Sequence, residues 1–246
     1  MGTLEDKVAL VTGGSRGIGA AIAVRLAAEG ADVAFTYATS HAKAAEVVAQ
    51  IESLGRKALA IQADSADPAA VTSAVDAAAS AFSGLNVLVN NAGIMVTGTI
   101  DQVSVEDIDR ALAVHVRAVI VATQAALRHM PDGSRIITIG SNLAERVPWP
   151  GMSVYAASKS ALTGLTRGLA RDLGPRGITA VVVQPGATDT DMNPADGPRA
   201  DRQRAQNPLG HYANAADVAA TVAHLAGDGG RHLTGTTITV DGGTNS

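Results

Sequence analysis

The sequence contains no cysteine. That excludes disulfides, thiolate metal sites and thiol nucleophiles together, and it fits a reducing cytoplasm. Six histidines are scattered without metal-ligand spacing, so no metal is expected. Aromatics are scarce: one Trp, three Tyr and two Phe leave no evident cage for sugars or quaternary amines. The net charge is −4 and no basic block occurs, which removes the electrostatic footprint expected for duplex nucleic acid. No uncharged apolar run approaches the roughly 18 residues that suggest a membrane span. The opening MGTLEDKVAL has no basic segment leading into a long apolar one, so no secretory leader is expected. The expected setting is therefore the cytoplasm, with a small molecule as partner rather than nucleic acid or a membrane.

What is present is ample material for a core, with 46% apolar and 17% charged residues. Short β-branched runs at 7–12, 31–37, 57–62, 85–90, 134–140, 177–184 and 236–240 alternate with longer Ala-rich patterns. The runs are continuously apolar rather than alternating, as parallel strands covered on both faces should be. Helical patterns lie at about 17–29, 41–54, 67–83, 104–130, 153–173 and 214–226. Asp67-Pro68 supplies an N-cap and a first-turn proline, and Ser104 with Asp107 a weaker start signal. This β–α rhythm predicts a Rossmann-type, doubly wound α/β fold with helices on both faces. No linker interrupts it, so residues 1–246 are expected to form one domain. The exception is 188–213, TDTDMNPADGPRADRQRAQNPLGHYA, too long and polar for an ordinary connection. It reads as a lid or binding loop, or else as a disordered insertion.

After the first strand comes TGGSRGIG (12–19). Its glycines at 13, 17 and 19 depart from G-x-G-x-x-G, yet the physics is the same. A glycine turn lets backbone approach a diphosphate, and a helix begins there with free N–H groups. Gly19 would allow close helix–sheet packing. A carboxylate at the end of the second strand would hold a ribose diol and repel a 2′-phosphate. Here that end reads Thr36, Tyr37, Ala38, Thr39, Ser40, and Asp32 lies at the opposite end. Neutral hydroxyls with Arg16 in the glycine loop favour NADP(H) over NAD(H); if Arg16 is merely solvated, the pocket accepts either.

Tyr155 and Lys159 stand four apart in YAASK (155–159), so on a helix they share a face. A free tyrosine has a pKa of about 10, and a neighbouring ammonium lowers it by roughly 1–3 units. Tyr155 would then act as general acid toward a carbonyl or as base toward an alcohol. In isolation the pattern more often means a core tyrosine beside a snorkelling lysine.

The motifs TGGSRGIG (12–19), NNAG (90–93), IGS (139–141), YAASK (155–159) and PG (185–186) occur in this order over nearly the whole chain. Together they closely resemble the single-domain short-chain dehydrogenase/reductase family, in its 3-oxoacyl-reductase-like branch. The resemblance implies a seven-stranded sheet, a nicotinamide cofactor and metal-free hydride transfer. It also implies a dimer or, commonly, a tetramer packed through 104–130 and 153–173. By position, Tyr155 is the proton donor and acceptor, Lys159 the ribose-binding residue that lowers its pKa, and Ser141 the residue that hydrogen-bonds the substrate oxygen. The implied cofactor residues are Gly13, Ser15, Arg16, Gly17, Ile18 and Gly19 in the first loop, and Tyr37, Thr39 and Ser40 after the second strand. Asp64 and Ser65 flank the adenine; Asn91, Ala92 and Gly93 line the centre; Pro185, Gly186 and Thr188 meet the nicotinamide end.

Two positions depart from the family pattern. The family serine usually lies 13 residues before the tyrosine, where this chain has Asn142, while Ser141 lies 14 before. Ser141 follows the strand directly and is the choice, with Asn142 as alternative. In AVHVRA (113–118), His115 stands where the family usually has an asparagine that helps hold a helix distortion and an ordered water. A cationic histidine there would oppose Lys159, so an altered proton relay is expected unless His115 simply packs. Trp149 and Met152 in RVPWPGM (146–152), with Met192 from the lid, either wall an apolar substrate cleft or, for Trp149, anchor the loop. The expected function is NADP(H)-dependent interconversion of a ketone or aldehyde and its alcohol. Enoyl reductases usually space tyrosine and lysine more widely. The alternative is a dinucleotide-binding sensor or regulator with weak turnover.

Overall fold

The computed structural model describes residues 3–246. Its strands are β1 (Val8–Val11), β2 (Asp32–Tyr37), β3 (Ala58–Gln62), β4 (Val87–Asn90), β5 (Arg135–Ile139), β6 (Thr179–Pro185) and β7 (Thr236–Val240). All seven form one sheet in the order β3-β2-β1-β4-β5-β6-β7. Every pairing is parallel.

The helices are α1 (Gly17–Ala28), α2 (His41–Ser53), α3 (Pro68–Phe82), α4 (Val105–Leu112), α5 (Ala118–Ala126), α6 (Ser153–Leu173), α7 (Ala200–Gln206) and α8 (Ala215–Ala226). On one sheet face Val11, Phe35, Val89, Ile137 and Val183 pack with residues of α1, α2 and α8. On the other, Leu10, Ala34, Leu88, Ile136 and Ala180 pack with α3 and α5. Both faces are thus buried, which is the physical cause of the unbroken apolar runs in the strands.

Helix ends follow local chemistry. The Asp67 side chain accepts from the Ala69 and Ala70 amides with proline next in line, and Ser104 accepts from the Asp107 amide. Asn214 and Asp217 form a reciprocal capping box at α8.

The pattern at 104–130 is not one helix. Between α4 and α5 lies a π-helical turn, Ala113–Arg117. Such a turn accommodates one more residue than an α-turn, and here it carries His115 inward to 1% exposure. The segment 188–213 is ordered and contains α7. Its two ends are pinned where the Ala213 amide donates to Ala187 O and the Asp189 amide to Ala213 O, each at 3.0 Å.

The chain winds from β1 outward through β2 and β3, then returns to build β4 to β7 on the other side. The ends of β1 and β4 therefore open a crevice at the reversal point. The glycine loop follows β1 and Asn91 follows β4. Gly13 and Gly17 turn with φ of +66° and +53°, conformations that side-chain-bearing residues rarely adopt. A Cβ on Gly19 would sit 2.2 Å from Gly13 O and 2.4 Å from Asn91 Nδ2.

Replacing Gly19 with alanine therefore forces the loop away from β4. A loss of about 1–3 kcal/mol of stability is expected from such overpacking. Denaturant unfolding checks it; an unchanged midpoint would contradict the close approach.

Candidate active site

The floor of the crevice is a hydrogen-bonded frame. Thr36 Oγ1 accepts from the Gly13 amide at 3.0 Å, and Thr36 O from the Gly14 amide at 2.8 Å. Thr12 Oγ1 accepts from the amides of Asn91 and Ala92 at 2.9 and 3.1 Å. The Asn91 side-chain amide donates to Thr12 O and Gly13 O, both at 3.0 Å. The frame spends the Asn91 side chain on the loop. The framing role of Thr12 and Thr36 is not legible in the sequence, because threonine at a strand end reads as ordinary β-propensity.

One cavity runs along this frame. Gly13, Ser15, Arg16, Gly17, Ile18 and Gly19 line it, with Tyr37, Thr39, Ser40, Asp64 and Ser65 at one end and Asn91, Ala92, Gly93, Tyr155 and Lys159 at the other. No acidic side chain ends β2; Asp32 instead pairs with Arg56 at 2.8 Å at the far end of the strand. Asp64 is held by Arg110 at 3.3 Å. The hydrogen bond from the Ala66 amide, aided by Arg110, keeps its carboxyl below the usual range.

A second cavity adjoins the first and shares Gly140, Tyr155, Thr190 and Met192 with it. Ser141, Asn142, Trp149, Met152, Pro185, Gly186 and Thr188 line this one. The structure therefore places Pro185, Gly186 and Thr188 with the tyrosine and serine rather than beside the glycine loop. Arg202 of α7 stacks over the Trp149 ring at 4.6 Å, so this tryptophan both borders the cavity and ties its loop to the 188–213 segment. Near the first cavity Lys43 of α2 forms an ion pair with Asp191, and a Cβ on Gly17 would lie 3.2 Å from Thr190. The start of the 188–213 segment thus lies across the glycine loop.

Ser141 and Asn142 are separated by their partners. Ser141 lines the second cavity with Tyr155, and its Oγ accepts from the Leu143 amide at 3.2 Å. The Asn142 amide points to Asp241 Oδ2 at 3.4 Å, and its carbonyl accepts from Asn245 at 2.7 Å.

Tyr155 and Lys159 lie on one face of α6, with 8% and 5% exposure. Burial pushes the Tyr155 phenol above its ordinary value, with the neighbouring Ser141 pulling the other way. This corrects the expectation that Lys159 lowers it in the protein alone. Lys159 Nζ instead donates to Ile139 O at 2.9 Å, and burial brings its pKa down to about 8.

His115, unlike Lys159, is not a cation. Burial first, then the Lys159 charge, lowers its pKa to about 3. Nε2 accepts from the Ile94 amide at 3.0 Å, so a proton on Nε2 would break that bond. Nδ1 meets Ser158 Oγ at 2.8 Å, and Ser158 donates to Tyr155 O at 2.7 Å. Only the neutral tautomer with hydrogen on Nδ1 satisfies all three contacts. The expected repulsion between His115 and Lys159 is thereby removed.

The linkage has a definite sign. Between its ordinary value of 6.5 and about 3, the unfolded chain binds a proton that the fold excludes. This contribution to stability is complete above the upper value and is lost as pH falls through the window. The parent should lose more stability than His115→Asn between about pH 7 and about pH 4. Denaturant unfolding across that range measures it, and parallel curves would refute a buried neutral histidine.

The geometry agrees with what the chain is similar to. The family model for short chain dehydrogenase matches residues 7–200. The cyclic-di-GMP-binding biofilm dispersal mediator protein of Escherichia coli K12 is 46% identical over 242 residues, covering 98% of each chain. Among solved structures, a short chain dehydrogenase from Burkholderia cenocepacia J2315 in complex with NADP is 63% identical. It superposes with a TM-score of 0.98 over 99% of this chain and 100% of that one. A blue fluorescent protein from a metagenomic library, in complex with NADPH, is 56% identical with a TM-score of 0.98 over 99% and 100%. The chain is a member of the short-chain dehydrogenase/reductase family.

Proposed function

We propose that the protein is an NADP(H)-dependent oxidoreductase that interconverts a ketone or aldehyde and the corresponding alcohol. The observation that carries this reading is that Tyr155 lies where the two cavities meet. A dinucleotide along the glycine loop and a carbonyl compound beside Ser141 would both reach it. The glycine cradle, which a Cβ on Gly19 would fill, fits a diphosphate. The acid-free end of β2 beside Arg16 fits a 2′-phosphate, as do the NADP and NADPH complexes of the two structural relatives.

When bound, the nicotinamide supplies the hydride donor or acceptor. The chain does the rest. Ser141 orients the substrate oxygen, and Tyr155 gives that oxygen a proton or removes one. Lys159 holds a cation beside the cofactor and favours the phenolate when the proton leaves. Trp149, Met152 and Met192 form apolar walls, and the lid over 188–213 limits water. Among the described residues no group of three or more His, Asp and Glu is placed to hold a metal.

We also propose a homo-oligomer. Leu112 and Ile120 are 44% and 37% exposed, and α6 exposes the small residues Ala157, Ala161, Gly164 and Gly168. Apart from its chain neighbours and its own helix's backbone, nothing among the described residues lies within 4 Å of a Cβ on Gly164. In a lone chain Gly164→Ala would stabilise the helix by about 0.5–1 kcal/mol. Against a second copy it should instead lower the melting temperature and promote dissociation, read by sedimentation. A raised melting temperature with unchanged size would contradict packing through α6.

A second reading, a dinucleotide-binding regulator with weak turnover, draws on the cyclic-di-GMP-binding relative. Tyr155, shared by both cavities, and Lys159, which lines the first, argue against it. NADPH consumption against a panel of ketones and aldehydes separates the two. Turnover that falls about 10²–10⁴-fold in Tyr155→Phe, and is weaker with NADH, is expected. Saturable NADPH binding without turnover on the panel would favour the regulator.

A further inference from the structure

We propose that the second cavity selects carbonyl compounds that also carry a carboxylate, held by Arg199 and by the side-chain amides of Gln203 and Gln206. The carbonyl chemistry rests on the reductase reading, whereas the anion site is a property of the cavity itself.

Arg199 stands immediately before α7, and Gln203 and Gln206 lie within it. Steps of four and three residues put the three on one helical face. All three line the second cavity, and none lines the first. The other two arginines of α7 are committed elsewhere. Arg202 stacks over Trp149, and Arg204 pairs with Asp201 at 3.0 Å and lies over the Tyr212 ring. Arg199 alone of the three has neither an ion pair nor a ring contact among the described residues.

The amides are oriented by what they have already spent. Gln203 Oε1 accepts from Asn193 Nδ2 at 2.9 Å and from the Tyr212 hydroxyl. Gln206 Oε1 is enclosed in the protein without a partner. In both residues the nitrogen is therefore the atom left to a ligand. Elsewhere in the wall the polar groups are used internally. The Asn142 amide points to Asp241, Asn245 Nδ2 donates to Asn142 O, and the Thr188 and Thr244 hydroxyls donate to backbone carbonyls at 3.2 and 2.7 Å.

No Asp or Glu lines this cavity. Asp241 lies behind the wall at 8% exposure, where it accepts from the Gly243 and Asn245 amides at 2.9 and 3.0 Å. Asp189 accepts from the Ala195 amide at 2.9 Å. The α7 face thus offers one cation and two donors, with no carboxylate opposing them, in a chain of net charge −4. A guanidinium fork matches a planar carboxylate with two parallel hydrogen bonds. A site built to donate discriminates against a ligand that leaves its donors unmatched. On reduction the carbonyl π bond breaks, its carbon gains the hydride and its oxygen gains the Tyr155 proton. The carboxylate is unchanged and serves only to hold the molecule.

The test uses α-, β- and γ-oxo carboxylates, each beside its neutral methyl ester, with NADPH as the reductant. At one of the three spacings or more, kcat/KM for the acid should exceed that for the ester by about 10–100-fold, as hydrogen bonds to a charged group imply. The acid-to-ester ratio should collapse toward unity in Arg199→Leu, mainly through KM, and be intermediate in Arg199→Lys, which keeps the charge without the fork. A second readout needs no turnover. Trp149, the sole tryptophan, borders the cavity, so its fluorescence reports occupancy by unreactive carboxylates lacking the oxo group, with NADP+ bound. Their saturable binding should weaken about 10-fold or more in Arg199→Leu, and their primary amides should bind poorly to the parent. Equal ratios for acid and ester at all three spacings would overturn the carboxylate, and a preference that survives in Arg199→Leu would overturn the site. If neither acids nor esters turn over, yet carboxylates bind and Arg199→Leu loses them, the reductase reading fails and the anion site stands. No turnover and no carboxylate binding would remove both.

Discussion

The site is organised around a cation that the fold buries without a carboxylate. Lys159 is 5% exposed, and its side chain is anchored by a backbone carbonyl, that of Ile139. Taking an ammonium from water is costly unless it is paired and hydrogen-bonded, and the fall of its pKa to about 8 expresses that cost. Neighbouring groups conform to it. His115 remains neutral, and the Tyr155 phenol is the one nearby acid whose ionisation would give the lysine an anionic neighbour. Such an arrangement is poor for stability and suited to holding a proton transfer in readiness.

That cation can be buried only because the surrounding backbone is fixed. The glycine loop is held by Thr12, Thr36 and Asn91 rather than by its own sequence. Helix α6, which carries Tyr155 and Lys159, begins after a loop tied to α7 through Trp149 and Arg202. The reversal of strand order between β1 and β4 brings these pieces to one crevice. The two cavities that share Tyr155 follow from topology, and their different linings follow from side chains: glycine and hydroxyl groups along the first, methionine and tryptophan in the second.

Much of this was legible in the sequence. Each of the seven apolar runs forms a strand, because burial on both faces selects the same residues that β-propensity favours. Tyr155 and Lys159 fall on one helical face, as an i, i+4 spacing requires. The π-helical turn was not legible: AVHVRA has a uniform helical composition, and only tertiary contacts of His115 select the wider turn. The protonation of His115 was equally hidden, since it depends on Ile94 and Ser158, 21 and 43 residues away. The direction of the Tyr155 shift was misjudged for a related reason. Spacing reveals that a lysine is near, but it does not show how strongly burial opposes ionisation.

The central claim is that the fold alone holds Tyr155 protonated and that an adjacent cationic cofactor releases it. Ultraviolet difference titration of tyrosinate, parent minus Tyr155→Phe, measures this with and without saturating NADP+. The account predicts that Tyr155 titrates above a free tyrosine in the protein alone and moves clearly downward when NADP+ is bound. An unchanged titration at saturation would contradict it, because nothing in the site would then couple the proton to the cofactor.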